Sequence, residues 1–238
     1  MATAGLAGCG DGGGATLVRV FAAASLTEAF TELARDYEAD HGDVDVRLTF
    51  AASSALATQV RQGADADVFV PADTRTLLDL AADGLVDAPG RVVARNRLAI
   101  VVEPGNPQGI RGLPDLARPG LVVVLCAPEV PCGRLAAAAA ADASVTLTEA
   151  SREPNAKAVV AKVALGEADA GIAYATDVAA AGTRADGVPV AAADPARAGV
   201  YPMALTSTAS DRRAASDFVD FVASARGRRT LARFGFLP

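Results

Sequence analysis

Two serines lie where an alanine-rich, strand-like segment passes into a helical pattern, a position from which they could bind an anion. Ser25 belongs to VFAAASLTEAF, residues 20–30, and Ser53 belongs to LTFAASSALATQV, residues 48–60. In each segment a strand, alanines, a serine and an amphipathic helix follow one another. The N-terminus of a helix presents unpaired N–H groups and a partial positive charge. Two such ends brought together would hold an anion without a charged side chain.

Ser25 has a second interpretation as a helix cap. Glu28 follows it by three residues, which is the spacing of a capping box, and a cap contributes about 1 kcal/mol without any ligand. The repeated pattern at Ser53 favours the anion site, and the two roles do not exclude each other. We therefore predict that Ser25 is both cap and ligand.

Three further candidates lie at helix or strand ends. In CAPEVPCGR, residues 126–134, a turn with two prolines leads Cys132 into a helix. In REPNAK, residues 152–157, Asn155 is a cap-type residue ahead of Ala156. Tyr174 ends a strand-like run, at the edge where ligand-facing groups collect in open α/β sheets. The alternative for Tyr174 is a half-buried core residue with a satisfied hydroxyl.

The sequence offers little that would support catalysis or metal binding. The single histidine, His41, lies in a polar stretch and is interpreted as a solvated loop residue. No nucleophile elbow, P-loop or dinucleotide-binding glycine motif occurs. Acidic residues flank the strand-like segment 68–70, and we interpret them as caps and turns rather than as a metal site: Asp65, Asp67 and Asp73.

The three cysteines separate into a pair and a single residue. Cys126 and Cys132 are six residues apart, which favours a disulfide in an exported protein and reduced thiols in a cytosolic one. Cys9 ends the sequence LAGC, which has the form of a lipoprotein cleavage site, and a glycine-rich segment follows it. Because only eight residues precede Cys9, a lipid anchor there and a plain N-terminal tail stay as alternatives.

Length and charge exclude several classes of protein. The 238 residues suit one large domain or two lobes of about 100 residues, and we expect two. The net charge of −6, with scattered arginines and lysines, argues against a nucleic-acid surface. No run approaches the roughly 18 apolar residues that cross a bilayer. The acidic total does not argue against an anion site, because a buried site is decided by local groups.

Short strand-like runs alternate with helical periods, which predicts an α/β fold with mainly parallel sheets flanked by helices. The predicted strands are 18–21, 44–50, 68–70, 98–102, 121–125, 170–174 and 200–205. The predicted helices are 26–40, 54–62, 74–83, 133–141, 155–165 and 210–225. We predict a tether at 1–16, a first lobe at 17–95 and 201–238, and a second lobe at 96–200. The two crossings between the lobes would form a hinge.

The order of these motifs resembles that of the periplasmic molybdate-binding proteins of ABC importers, which are type II periplasmic binding proteins. The resemblance runs from about Val18 to Leu237 and rests on VFAAASLTEAF, FAASSALATQVRQGADADVFVPAD, PEVPCG, GEADAGIAYATD and the terminal FGFLP. It implies two α/β lobes around a cleft. It also implies that serine hydroxyls, main-chain amides and a tyrosine hydroxyl hold the oxyanion. Matched segment by segment, these positions are Ser25, Ser53, Cys132, Ala156 and Tyr174.

Three of these assignments depart from the family pattern or have a rival. Cys132 stands where a small residue such as alanine is usual, so the implied contact is its main-chain N–H. The segment around Ala156 is more polar than the corresponding family segment. Ser54, directly after Ser53, is the rival for the second serine.

The resemblance implies a monomeric receptor outside the cytoplasm, without a cofactor or enzymatic activity, that delivers molybdate or tungstate to a membrane permease of an ABC importer. It would be anchored through Cys9 or free in the periplasm. No acidic residue lies among the five matched positions, so a phosphate that keeps a proton would lack an acceptor.

Three alternatives remain at this stage. The first is a receptor for another anion such as sulfate, and the second is an enzyme on the same scaffold. The third is a cytosolic sensing domain, which would ordinarily carry a DNA-binding helix-turn-helix. The 17 residues before the first predicted strand do not hold one.

Overall fold

The computed structural model describes residues 15–190 and 199–238. Cys9 and the lipoprotein-like segment around it lie outside the described residues. The strands are β1 (Thr16–Ala23), β2 (Val44–Ala51), β3 (Val68–Val70), β4 (Arg91–Asn96), β5 (Leu98–Val102), β6 (Val123–Cys126), β7 (Ser151–Glu153), β8 (Ala170–Tyr174), β9 (Asp186–Pro189) and β10 (Gly199–Leu205).

The helices alternate with these strands along the chain. The α-helices are α1 (Thr27–Asp40), α2 (Ser53–Arg61), α3 (Thr74–Ala82), α4 (Pro131–Asp142), α5 (Ala156–Ala164), α6 (Ala175–Ala180), α7 (Arg212–Ala223) and α8 (Ala225–Arg233). Short 3₁₀ turns occur at Ala24–Leu26, Leu113–Ala117 and Gly182–Arg184.

The strands form two five-stranded sheets, each with its own helices. The first has the order β2-β1-β3-β10-β4 and the second β7-β6-β8-β5-β9. Helices α1, α2, α3, α7 and α8 pack on the first sheet, and α4, α5 and α6 pack on the second. We call these two assemblies the first and the second lobe.

The parallel pairing of β1 with β2 brings the two serine junctions together. These strands pair in register along their full length, and the last pair is Ala23 with Ala51. Because parallel strands end at the same edge of a sheet, the turns that follow them also meet there. Ser25 and Ser53 therefore lie side by side although they are far apart in the sequence.

The second lobe uses the same arrangement. Strand β6 pairs in parallel with β7 and with β8. Helices α4, α5 and α6 start soon after the carboxyl ends of β6, β7 and β8, respectively. The helix N-termini of the second lobe thus collect at one edge of its sheet, as ligand sites do in open α/β sheets.

The crossing from the first lobe to the second is short. Strand β4 ends at Asn96 and β5 begins at Leu98, so this crossing consists of Arg97 alone. The chain is back in the first sheet at Gly199, where β10 begins. The lobe ranges predicted from the sequence stay a prediction. Asn96 and Gly199 lie close to the two ends of the predicted second lobe, 96–200, and both are strand residues of the first sheet.

The α/β fold with two lobes is confirmed, but the sheets are mixed rather than mainly parallel. In the described part of the chain, each sheet has two parallel and two antiparallel pairings. The sequence prediction omits β4 and β9, which form two of the antiparallel pairings. Strand β4 does not alternate regularly between buried and exposed residues, and β9 is mostly exposed and ends in a proline, so neither has a clear strand pattern.

Other differences concern short elements and one helix. The prediction also omits β7, with three residues, and α6, with six. The predicted helix 210–225 corresponds to α7, and the prediction omits α8, which begins after a turn at Ser224. The Ser224 hydroxyl accepts the Gly227 N–H at 3.1 Å and so caps α8.

Candidate functional site

A small cavity lies between the two lobes at the helix N-termini. Its volume is about 20 Å³, which suits a group of a few atoms and is far below the several hundred Å³ of pockets for larger organic ligands. None of the side chains around it is charged. The cavity is lined by Ala23, Ala24, Ser25, Ala51, Ala52, Ser53, Ala72, Val130, Pro131, Cys132, Pro154, Asn155, Ala156 and Tyr174.

The structure brings together all five residues predicted from the sequence, and each comes from a different element. Ser25 lies in the 3₁₀ turn ahead of α1 and Ser53 begins α2. Cys132 lies in the first turn of α4, Ala156 begins α5, and Tyr174 ends β8. The rival Ser54 is not among the residues that line the cavity. Their role in binding stays a prediction.

The prediction that Ser25 caps a helix is wrong. A 3₁₀ turn, Ala24–Leu26, intervenes before α1, and no side chain caps either the turn or the helix. Instead, Ser25 Oγ lies 2.9 Å from the hydroxyl oxygen of Tyr201. The extra turn points the serine away from the free N–H groups of α1, so the capping-box spacing to Glu28 has no structural counterpart.

Ser53 is held by the main chain of a neighbouring loop. The Ala72 N–H donates to Ser53 Oγ at 3.0 Å, and the Ser53 side chain is only 2% exposed. Its hydroxyl proton is not used by this bond. Ser53 can therefore accept from the protein and donate to a ligand at the same time.

The N–H groups in the first turns of α2, α4 and α5 have no partner inside their helices, as at any helix start. Asn155 caps α5 as predicted, because its Oδ1 accepts the Ala158 N–H at 3.0 Å. The cap does not use the N–H of Ala156, and Ala156 lines the cavity. In α4 the first residue, Pro131, has no N–H, so Cys132 offers the first one. The helix ends supply both donors and positive potential.

The start of α4 packs directly on the preceding loop. A Cβ atom at Gly133 would lie 2.0 Å from the carbonyl oxygen of Ala127, so only glycine fits there without a shift of the backbone. Cys126 and Cys132 form a disulfide on the same turn. The close contact and the disulfide together fix the position of the Cys132 N–H.

We expect the disulfide to support ligand binding. Mass spectrometry of the non-reduced protein should show the mass deficit of two hydrogens. Reduction should lower the free energy of unfolding by about 2 kcal/mol, the value for a short loop, and should weaken anion binding several-fold because the Cys132 turn is released. Denaturant titration measures the stability and calorimetric titration the affinity, each with and without reductant. A Cys126→Ser/Cys132→Ser variant should not respond to reductant, and unchanged affinity after reduction of the wild type would contradict the expectation.

Tyr174 is a buried residue whose hydroxyl is left unused. The side chain is 2% exposed, and its hydroxyl oxygen has no hydrogen-bond partner among the described residues. Burial is the main cause that raises its pKa, with a smaller contribution from Tyr201, so the hydroxyl keeps its proton. A Cβ atom at Gly199 would lie 2.7 Å from Tyr174 Cε1, so the glycine backbone packs against the ring. Tyr174 is thus a rigidly placed donor without an acceptor.

The sequence prediction missed a group of buried polar residues behind Ser25. Asn96 Nδ2 donates to Thr176 Oγ1 at 2.7 Å and to the Tyr201 hydroxyl oxygen at 3.3 Å. Asn96 and Tyr201 are fully buried. Asn96 is the last residue of β4, just before the crossing. The sequence prediction omits β4, so it gave no sign that Asn96 lies near the site.

Two ion pairs across the cleft were also missed. Lys157 on α5 of the second lobe contacts both carboxylate oxygens of Glu28 on α1 of the first, at 2.7 and 2.9 Å. Arg134 on α4 contacts Asp73, the N-cap of α3, with Nε 3.1 Å from Oδ2. These contacts join the lobes, so the structure is a closed form.

Asp177 is a buried carboxyl group near this interface. Both of its oxygens lack hydrogen-bond partners in the described part of the chain, and the nearest cation is Lys157 Nζ at 3.9 Å. Burial raises its pKa from 3.8 to about 7, while Lys157 opposes the shift and Glu28 adds to it. Asp177 also lies in the first turn of α6, where the positive end of the helix dipole offsets part of the cost of burying its charged form.

The raised pKa of Asp177 predicts that stability depends on pH. The folded protein binds this proton more tightly than the unfolded chain, so the free energy of unfolding should fall as the pH rises from about 4 to about 7. Asp177→Asn should remove this dependence and stabilise the protein at pH 8 by roughly 2–4 kcal/mol, since one pKa unit corresponds to about 1.4 kcal/mol. Denaturant titrations at pH 5 and pH 8 measure the effect. A wild type equally stable at both, with no gain in the variant, would contradict it.

The remaining polar residues considered in the sequence have structural roles. His41 is exposed and stacks on Tyr37, with ring centroids 4.1 Å apart. Asp67 accepts the Arg19 N–H and the Ser210 N–H, each at 2.7 Å. No cluster of three or more metal-ligating side chains occurs within residues 15–190 and 199–238. The interpretation of the acidic residues as caps and turns is confirmed for Asp73, the N-cap of α3, and is wrong for Asp67, which joins segments distant in the sequence.

Comparison with known proteins gives consistent matches. The family model of bacterial extracellular solute-binding proteins matches residues 18–237. The molybdate-binding protein ModA of Mycobacterium tuberculosis is 39% identical over an alignment of 249 residues, which covers 99% of this chain and 94% of that protein.

Solved structures show the same fold. The periplasmic molybdate-binding protein of Azotobacter vinelandii has a TM-score of 0.75 at 17% identity, with 93% of this chain and 99% of that chain covered. The sulfate-binding protein SubI of Mycobacterium tuberculosis has a TM-score of 0.81 at 21% identity, with 94% and 87% covered. In the described ranges no helix is both long and apolar enough to span a membrane. The chain belongs to the family of bacterial extracellular solute-binding proteins.

Proposed function

We propose that this protein is an extracytoplasmic receptor that captures molybdate, and also tungstate, and delivers it to the permease of an ABC importer. The observation that carries the proposal is the small, uncharged cavity. It is lined by the buried Tyr174, whose hydroxyl has no hydrogen-bond partner among the described residues. The 39% identity to a molybdate-binding protein over nearly the whole chain supports the choice of ligand.

The chemistry of the cavity suits a tetrahedral dianion. Hydroxyls of Ser25, Ser53 and Tyr174 and main-chain N–H groups at Cys132 and Ala156 are neutral donors. Hydrogen bonds to an ionised group are stronger than those between neutral groups, and helix ends add favourable potential. A lysine in the cavity would attract carboxylates and phosphate esters as well. Neutral donors in a small space instead discriminate between anions by their size.

Sulfate is the second candidate, since a sulfate-binding protein shares the fold. Sulfate has the same charge and shape as molybdate but shorter bonds. In a shell of donors set for the larger ion, some of its hydrogen bonds would be too long to form. Cavity size is therefore the property that separates the two ligands.

A binding screen tests the proposal. Molybdate, tungstate, sulfate, phosphate and chromate are added separately, and the unfolding midpoint is measured. A tight ligand raises the midpoint by mass action, so we expect large shifts with molybdate and tungstate and small ones with the others. Titration calorimetry then ranks the affinities. A shift with sulfate alone would identify the second candidate, and no shift with any anion would reject the proposal.

Substitution of either serine should weaken binding. Ser25→Ala and Ser53→Ala each remove one hydrogen bond to a charged ligand, worth about 1.5–3 kcal/mol. Ser25→Ala removes no helix cap, but it leaves the buried Tyr201 hydroxyl without its acceptor, so we expect the unliganded variant to lose about 1–3 kcal/mol of stability. Ser53→Ala should lose a similar amount, since it leaves the buried Ala72 N–H without its acceptor. Ser54→Ala is the matched control and should bind like wild type, and calorimetry measures all three. Wild-type affinity in both Ser25→Ala and Ser53→Ala would exclude this site.

The remaining parts of the proposal follow from the family and the site. A binding protein needs no catalytic group, and no acidic, basic or histidine side chain lines the cavity. We propose that the protein acts as a monomer without a cofactor, and that its partners are the oxyanion and the permease. We further propose that it works outside the cytoplasm, held to the membrane through Cys9 if that residue is acylated.

A further inference from the structure

We propose that Asn96 and Tyr201 form a hydrogen-bond relay that directs the hydroxyl proton of Ser25 toward the cavity and so selects anions that carry no proton. The inference rests on the proposed oxyanion-binding function and adds the residues that set its selectivity. Neither Asn96 nor Tyr201 lines the cavity, so both would act as positioning residues.

The orientation of the Asn96 amide follows from its contact with the main chain. Its Oδ1 accepts the Arg97 N–H at 2.9 Å, so the other end of the amide is the NH₂ group. That group donates to Thr176 Oγ1 and to the Tyr201 oxygen. Because an amide NH₂ donates and does not accept, the Tyr201 oxygen must be the acceptor of this bond.

The direction of the next bond is then fixed. Tyr201 has one hydroxyl proton, and its oxygen already accepts from Asn96. The oxygen lies 2.9 Å from Ser25 Oγ, and among the described residues Ser25 is the one partner of Tyr201 that can accept, so the proton of Tyr201 is donated to Ser25. Burial raises the pKa of Tyr201 well above its usual value, so this proton is present at neutral pH. Tyr201 is therefore a donor to Ser25.

Ser25 consequently accepts from Tyr201 with one lone pair, and its own proton is left free to be donated to the cavity. Ser53 is likewise an acceptor within the protein, because its Oγ accepts the main-chain N–H of Ala72 directly. Its proton is therefore also free to be donated to the cavity. The Tyr174 hydroxyl has no partner among the described residues and keeps its proton. All three hydroxyls that line the cavity can donate, and two of them are held in that role by the protein.

A donor-only cavity discriminates by protonation as well as by size. Molybdate, tungstate and sulfate present acceptors alone. Hydrogen phosphate carries a proton that needs an acceptor, and no carboxylate lines the cavity. A buried donor without an acceptor is penalised by about 1–3 kcal/mol. Without the relay, Ser25 could rotate and accept the phosphate proton.

The test compares hydrogen phosphate with sulfate, which has the same charge and nearly the same size but no proton. Affinities of both anions and of molybdate are measured by calorimetry for the wild type and for Tyr201→Phe. We expect Tyr201→Phe to bind molybdate and sulfate about 3- to 10-fold more weakly, the effect of one lost orienting hydrogen bond. We expect phosphate binding to stay constant or to strengthen, so the phosphate-to-sulfate affinity ratio should rise at least threefold.

Two further variants separate the relay from simple packing. Asn96→Ser removes the NH₂ group but leaves Tyr201 in place, and the ratio should rise in the same direction. Thr176→Val removes the other partner of Asn96 but not its Arg97 anchor, so the ratio should match the wild type. The unfolding midpoint of each variant without ligand shows whether that variant is folded. If Tyr201→Phe does not fold, Asn96→Ser takes its place in the comparison.

The outcomes distinguish this inference from the proposed function. If the wild type binds molybdate but the affinities for all anions fall by the same factor in both Tyr201→Phe and Asn96→Ser, the two residues serve only packing and the relay is rejected. If the wild type binds none of the anions, the proposed function fails and the relay with it. A raised phosphate-to-sulfate ratio in the variants, with Thr176→Val unchanged, supports the relay.

Discussion

Tyr174→Phe should weaken molybdate binding by about 10- to 150-fold while leaving the unliganded protein as stable as the wild type. The hydroxyl has no partner in the described structure, so its removal breaks no bond within the protein. A hydrogen bond to an ionised ligand is worth about 1.5–3 kcal/mol, and every 1.4 kcal/mol is about a tenfold change in affinity. Calorimetry gives the affinity and denaturant titration gives the stability.

The loss should lie in the release rate rather than in the capture rate. Tyr174 belongs to the second lobe and Ser25 and Ser53 to the first, so the full set of contacts exists only when the lobes are closed. Removing a contact specific to the closed state speeds release and leaves the open encounter surface unchanged. Tyr37→Phe is the matched control, because Tyr37 lies on α1 away from the cavity. An unchanged release rate in Tyr174→Phe would mean that Tyr174 is only a core residue.

Gly133→Ala should impair both folding and binding. The added methyl group would lie 2.0 Å from the Ala127 carbonyl oxygen, and that obstacle is backbone rather than a movable side chain. Overpacking of this kind typically destabilises by about 1–3 kcal/mol. The start of α4 must move to make room, and the Cys132 N–H moves with it, so we expect molybdate affinity to fall at least tenfold.

Gly42→Ala is the control for Gly133→Ala. A Cβ atom at Gly42 would meet nothing within 4 Å, so the same chemical change should leave unfolding and binding close to wild type. Thermal unfolding and calorimetry on both variants measure the contrast. A stable Gly133→Ala protein with wild-type affinity would show that the position of this turn is not critical.

Much of the site could be predicted from the sequence because its parts are local. A strand, small residues and a helix start make a recognisable pattern, and Ser53, Ala156 and Tyr174 lie in the elements that their own segments predict. The parallel register that brings Ser25 beside Ser53 follows from sheet geometry. The helix cap at Asn155 was also predictable, since it depends only on a residue and the turn after it.

The groups behind the cavity depend on contacts between distant segments. Nothing near Tyr201 in the sequence indicates that it meets Ser25, and Asn96 belongs to a strand whose pattern is weak. The pairs Lys157–Glu28 and Arg134–Asp73 exist only because the lobes close. The capping prediction for Ser25 was wrong for a similar reason, since a single 3₁₀ turn redirects the side chain toward Tyr201.

The alanines around the cavity have a consequence for the entropy of binding. Alanine has no rotamers to lose, so the methyl-lined wall is equally ordered with and without a ligand. The serine hydroxyls are already oriented by Tyr201 and Ala72. Almost no side-chain freedom then remains to be frozen when the ion enters, and the ordering that accompanies binding is confined to the relative motion of two rigid lobes. Affinity in such a receptor can be adjusted at the hinge without changing any residue that touches the ion.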